Sequence, residues 1–88
     1  MTLSTQSPDS FRIGLEEIGQ GATLRFEPDM NKLRAVVIHK GKVDAKLGGN
    51  DEFSLGLSGL LGILPGTTCV LYNKIALAVV LLVIEKCI

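Results

Sequence analysis

The chain has 88 residues with zero formal net charge, 20% charged and 47% hydrophobic residues. That length makes one small domain, or less than one if part of the chain is buried in a membrane or a partner. A neutral balance gives no electrostatic case for a nucleic-acid partner, which would need a basic face to neutralise phosphates.

The average hides a division. Residues 1–52 hold seven of the nine Lys/Arg and eight of the nine Asp/Glu, whereas residues 53–88 hold only Lys74, Glu85 and Lys86. Residues 1–10 have no basic cluster ahead of an apolar run, so they do not read as a signal peptide. They read as a flexible polar arm. Phe11, Ile13 and Leu15 then alternate with other residues, a short strand signal, and Gly19-Gln20-Gly21 breaks the chain.

Residues 22–47 carry the pattern of a β-meander. Leu24 and Phe26 alternate with Thr23, Arg25 and Glu27, and Pro28-Asp29-Met30-Asn31 has turn chemistry. Residues 32–39 return as a strand with Val36, Val37 and Ile38 at its centre. A second turn at Lys40-Gly41-Lys42 leads to Val43, Ala45 and Leu47, which alternate with Asp44 and Lys46. One apolar and one wet face are expected of such a sheet, and the C-terminal segment is the obvious cover.

Gly48-Gly49-Asn50 reads as a hinge, with Asn50 or Asp51 capping a following helix. Residues 53–64 are apolar all round a helical wheel, and Pro65-Gly66-Thr67-Thr68 stops them. Ser54, Ser58, Gly62 and Gly66 recur every four residues, the small-residue spacing that lets two helices approach closely. Residues 69–84 are apolar apart from Tyr72-Asn73-Lys74. Their β-branched content suits a buried strand as well as a helix, with Asn73-Lys74 as a hairpin turn in the stranded alternative. Twelve helical residues reach only ~18 Å, so two half-length helices joined at Pro65-Gly66 fit better than one spanning helix.

Catalytic chemistry is sparse. His39 is the only histidine, and one His with two distant Cys does not make a zinc site. Glu16-Glu17 and Asp51-Glu52 are adjacent pairs whose side chains diverge in a strand, unlike an acid/base dyad. Cys69 and Cys87 would lie ~27 Å apart on one helix, beyond disulfide reach. They read as free thiols in a reducing compartment.

These features predict an α+β chain with three parts: the arm at 1–10, an antiparallel β-meander at 11–49 and an apolar helical hairpin at 50–88. The leading expectation is a small non-catalytic, membrane-associated protein on the cytoplasmic side, without a cofactor. In it Ser54, Ser58, Gly62, Gly66, Leu57, Leu61, Val79 and Leu82 would meet lipid or another helix, and Lys40, Lys42, Lys46 and Lys74 would meet lipid head groups. The alternative is a soluble, cytoplasmic or virion assembly protein that buries residues 53–88 in subunit interfaces by self-association or within a larger protein assembly. An enzyme or small-ligand carrier ranks third. A partner is expected in either leading case, because thirty-six residues with three charges exceed what fifty-two mostly polar ones can shield.

Overall fold

A computed structural model describes residues 11–74 and 77–88. Eight strands follow in chain order: β1 (Phe11–Gly19), β2 (Thr23–Phe26), β3 (Lys32–Lys40), β4 (Val43–Leu47), β5 (Phe53–Leu55), β6 (Leu60–Ile63), β7 (Cys69–Tyr72) and β8 (Ala78–Cys87). The described residues contain no helix. The α+β expectation is therefore corrected to all-β, and the helical hairpin expected at 50–88 is replaced by four strands. The physical reason is plain in β8. Val79, Val80, Val83 and Ile84 are β-branched, and the strand pairs along both of its edges. No helix among the described residues is long and apolar enough to cross a membrane. The membrane-associated reading rested on that helical hairpin, and it falls with it. The polar arm at 1–10 lies outside the described residues.

The strands make two antiparallel four-stranded sheets, in the orders β1-β8-β3-β6 and β2-β7-β4-β5. The strands β1 to β4 fall where the alternation predicted them, but they do not pair as a meander. β3 lies between β8 and β6, while β4 lies between β7 and β5. Only β4 and β5 are neighbours in both sequence and sheet; each other connection crosses between sheets. The charged and apolar halves of the sequence therefore interleave strand by strand.

Between the sheets lies a core of Ile18, Val36, Ile38, Val43, Ala45, Leu61, Ile63, Cys69, Leu71, Val79, Leu81 and Val83, with Leu24, Phe26, Leu47 and Leu55 packed against it. Burying each large aliphatic side chain contributes about 1.5–3 kcal/mol before conformational entropy is subtracted. Asn73 is the one buried polar residue among those described. Its Nδ2 donates to the Ile18 carbonyl at 2.8 Å. Its backbone N–H donates to Ala22 and its carbonyl accepts from Gly21. It thereby ties the β1–β2 corner to the end of β7. At the β3–β4 turn Gly41 has φ 91°, and a Cβ there would come within 3.1 Å of the Ala78 carbonyl and the Val79 side chain. Only glycine fits such a crossing without strain.

Candidate functional site

Three regions of the fold carry enough chemistry to be weighed as a site. The first is the space between the sheets. Its lining is aliphatic apart from Phe26, Cys69 and Asn73, and burial pushes the Cys69 thiol up to about 11, so it stays protonated and unreactive at neutral pH. His39 is exposed at a β-bulge between Ile38 and Lys40. No three described His, Cys, Asp or Glu residues come together as a metal-binding group.

The second region is a charged corner where Arg34 of β3 meets Glu85 of β8. Arg34 Nε donates to Glu85 Oε2 at 3.0 Å, and Arg34 Nη1 donates to the Glu27 carbonyl at 2.7 Å. The guanidinium also lies 5.8 Å from the centre of the Phe26 ring. Lys32 approaches the same Glu85 oxygen at 3.9 Å. An open hollow of about 300 Å³ borders this corner, lined by Arg12, Ile13, Gly14, Glu16, Val83 and Glu85. The charges are mixed in sign, and Arg34 is already satisfied. The corner reads as a structural ion-pair cluster.

The third region is the outer face of the β1-β8-β3-β6 sheet, and here the pattern departs from a lone domain. Cross-strand register sets the rows on that face. Phe11, Lys86 and Leu33 share one row; Ile13, Ile84, Ala35 and Gly62 the next; Leu15, Leu82, Val37 and Leu60 the third; Glu17, Val80 and Lys40 the last. The two middle rows contain no polar side chain. In β1 the usual sense is inverted. Its apolar residues Phe11, Ile13 and Leu15 point away from the core, while Arg12, Gly14 and Glu16 share the inward face with buried Ile18.

Leu60 is 68% exposed, Leu15 66%, Ile13 50%, Phe11 47% and Leu33 39%. With the half-buried Val37, Val80, Leu82 and Ile84, these side chains make one continuous apolar surface, the kind that marks an interaction site on a lone chain. The outer face of the other sheet is unlike it. Its rows read Thr23, Tyr72, Asp44 and Ser54, then Arg25, Val70 and Lys46, an ordinary wet surface.

The residues singled out from the sequence are scattered across the fold. Gly62 and Leu82 lie on the apolar outer face, whereas Leu61 and Val79 point into the core. Ser54 is on the wet sheet and donates to Asp44 Oδ1 at 3.0 Å. Leu57 and Ser58 lie in the β5–β6 turn, where Ser58 has φ 64°, and Gly66 lies in the β6–β7 turn with φ 77°. The four-residue stripe has no helix to sit on. Lys40 ends β3, Lys46 lies on the opposite sheet, and Lys42 sits in the turn between them. Lys74 is held by Glu52 at 2.9 Å and Asp44 at 3.8 Å. Its hydrogen bond to Glu52, aided by the charges of Glu52 and Asp44, raises its pKa above the ordinary lysine value. Phe11, Ile13, Leu15, Leu33, Val37, Leu60, Val80 and Ile84 were missed as a surface, although the alternation in β1 was a usable signal.

No family model and no curated protein matches the chain by sequence. Solved structures do match it. A cupin domain of Cnp3 from Schizosaccharomyces pombe superposes with a TM-score of 0.82 at 20% identity, over 98% of this chain and 61% of that one. The fold is that of the cupins. TT1209 from Thermus thermophilus matches at TM-score 0.80 and 18% identity, over 97% of this chain and 79% of its own. A sugar phosphate isomerase of the cupin superfamily from Silicibacter pomeroyi matches at TM-score 0.78 and 15% identity, over 86% of this chain and 50% of its own. The chain thus spans less than two thirds of the Cnp3 domain and half of the isomerase. Identities this low establish the cupin architecture alone.

Proposed function

We propose that this cupin-fold chain is a non-catalytic assembly module, and that the outer face of the β1-β8-β3-β6 sheet joins it to a larger structure. The single observation that carries the reading is the contrast between the two outer faces, one apolar through its middle rows and the other polar. An exposed apolar sheet face of this size is a protein-interaction surface or an aggregation hazard. The closed aliphatic interior, with its protonated Cys69, supports the non-catalytic part of the reading. The two free thiols, Cys69 buried and Cys87 exposed, suit a reducing cytoplasmic setting.

Sedimentation of the purified full chain tests the reading. The wild type is expected to run larger than its 9.4 kDa mass. Leu15→Lys combined with Leu60→Lys should return it to a folded monomer, while Arg25→Glu with Lys46→Glu on the polar sheet should leave its size unchanged. A wild type that stays monomeric at every concentration reached refutes the proposal.

A further inference from the structure

Four strands lie at sheet edges, and β1 differs from the other three. The edges formed by β2, β5 and β6 are three or four residues long, whereas β1 runs for nine. Its register against β8 is unbroken from Phe11 to Gly19, with no bulge and no proline. Short length, bulges and prolines are the usual means of protecting an edge, and β1 uses none of them. Asn73 ties down the Ile18 carbonyl. From Phe11 to Glu17 the strand has β8 on one side and, among the described residues, no strand on the other. Alternate residues of an antiparallel edge strand turn their N–H and C=O groups to the open side, so β1 is a template for one more strand.

Side chains give this open edge its selectivity. Arg12, Gly14 and Glu16 lie on the inward side of β1 with Ile18, yet all three are exposed. Together with Ile13, Val83 and Glu85 they line the hollow of about 300 Å³, twice the ~150 Å³ of a cavity that holds a benzene ring. A Cβ built on Gly14 meets nothing within 4 Å, so the glycine leaves the hollow open at its middle. Glu85 is engaged by Arg34 and Lys32. Among the described residues, neither Arg12 nor Glu16 has an ion pair or a side-chain hydrogen bond. They stand about 13 Å apart at ~3.3 Å per residue, with Gly14 midway. A positive group, an apolar hollow and a negative group thus follow one another along the edge.

We infer that the open edge of β1 binds an extended segment of another protein as an added antiparallel strand, whose basic, large apolar and acidic side chains at alternate positions meet Glu16, the Gly14 hollow and Arg12. The order follows from the direction, since an antiparallel strand passes Glu16 first and Arg12 last. A second copy fits the edge less well. Two β1 strands paired about Gly14 would match Arg12 to Glu16 twice, but they would set glycine against glycine and leave both hollows unfilled. The site is separate from the apolar outer face, and the two readings fail separately.

The probe is a synthetic peptide, acetyl-Thr-Lys-Val-Phe-Val-Glu-Thr-amide, labelled for fluorescence anisotropy and titrated with the full chain. It should bind with a Kd below ~100 μM, and a peptide with its lysine and glutamate exchanged should bind about tenfold or more weakly. The double variant Arg12→Glu with Glu16→Lys should reverse that preference, which a general effect on the fold would not do. Gly14 has an ordinary strand backbone angle and open space at its Cβ. Gly14→Leu should therefore keep the native circular dichroism while filling the hollow and weakening the first peptide about tenfold or more. Bound peptide should also slow amide exchange at alternate residues of β1, as an added strand does. Equal affinity for the two peptides, a preference that the double variant does not reverse, binding indifferent to Gly14→Leu, or binding without slower exchange in β1 overturns the inference. A chain that binds neither peptide, yet assembles less when it carries Arg12→Glu, uses the edge for a second copy, and that overturns it too. A chain that associates in sedimentation and binds neither peptide overturns this inference alone and leaves the assembly reading standing.

Discussion

Leu81 and Leu82 are adjacent residues of one central strand, and comparing them tests whether the outer face is covered in solution. Leu81 is fully buried against Ile38 and Val79 in the core, whereas Leu82 lies half-buried among Leu15, Val37 and Leu60's row on the outer face. Leu81→Ala removes three carbons from a closed core and should cost about 3 kcal/mol, within the 2–5 kcal/mol span for such cavities. A small domain of this length holds roughly 4–13 kcal/mol in total, so the variant loses a large part of its margin. With a urea m-value near 1 kcal/mol/M, its midpoint should fall by about 3 M at any protein concentration. Leu82→Ala should behave differently. In a dissociated chain the methyl groups are partly wet already, and the change should cost about 1 kcal/mol or less. In the assembled form they are dry, and the cost should rise toward 2 kcal/mol or more, so the deficit grows with protein concentration. The assay is urea unfolding followed by far-ultraviolet circular dichroism across a hundredfold concentration range. Equal, concentration-independent losses for the two variants would refute the argument that the outer face becomes buried.

Gly41→Ala forces a Cβ against the Ala78 carbonyl at φ 91° and should lower stability by about 1–3 kcal/mol, seen as a lower melting temperature with an unchanged native spectrum. Arg34→Ala strips Glu85 of its closest partner and leaves the Glu27 carbonyl without that donor; it should cost about 2 kcal/mol or more, while Arg34→Met should recover part of the loss by packing on Phe26, both measured by denaturant unfolding. Cys69 should resist a thiol reagent at pH 8 in the native chain while Cys87 reacts at once, with both reacting in denaturant. Because the folded thiol is raised from 9.0 to about 11, the native state holds a proton that the unfolded state releases between those values. The contribution is fully present below pH 9 and is lost as pH rises toward 11. Cys69→Ala should flatten that alkaline decline, and an unchanged slope would refute the assignment.

The strands of the first half were legible because each alternates apolar and polar residues and ends at a turn with recognisable chemistry, Pro28-Asp29 or Lys40-Gly41. The second half resisted for a physical reason. β8 is central in its sheet, with one face in the core and the other on the apolar surface, so Val79 to Ile84 shows no period of two. Without a period, length and composition have to decide, and they favour helix and strand about equally. Ser54, Ser58, Gly62 and Gly66 added a misleading helical spacing, although Ser54 and Gly62 belong to strands of different sheets and the other two to turns. Pairing was not legible at all. Which strands meet depends on turns that cross between sheets, and nothing in residues 32–40 announces β8 as their neighbour. The candidate face was half visible. The alternation of Phe11, Ile13 and Leu15 was there to be read, but apolar residues in a short strand are assumed to point inward. Only the register of Ile18 against Val79 shows that here they do not.

The order of strands in the sheet has a consequence for synthesis. β8 comes eighth along the chain, yet it lies between β1 and β3. A nascent chain leaving the ribosome thus exposes two apolar strands whose shared neighbour has not been made. Almost every pairing joins segments far apart in sequence, so folding must wait until β8 has been made and then close long loops at once, which is slow. Through that interval the edges of β1 and β3 are open to other chains. For a chain whose outer face then joins an assembly, the hazard is acute: the same strands that later meet a partner through their side chains are first able to join another chain through their backbones.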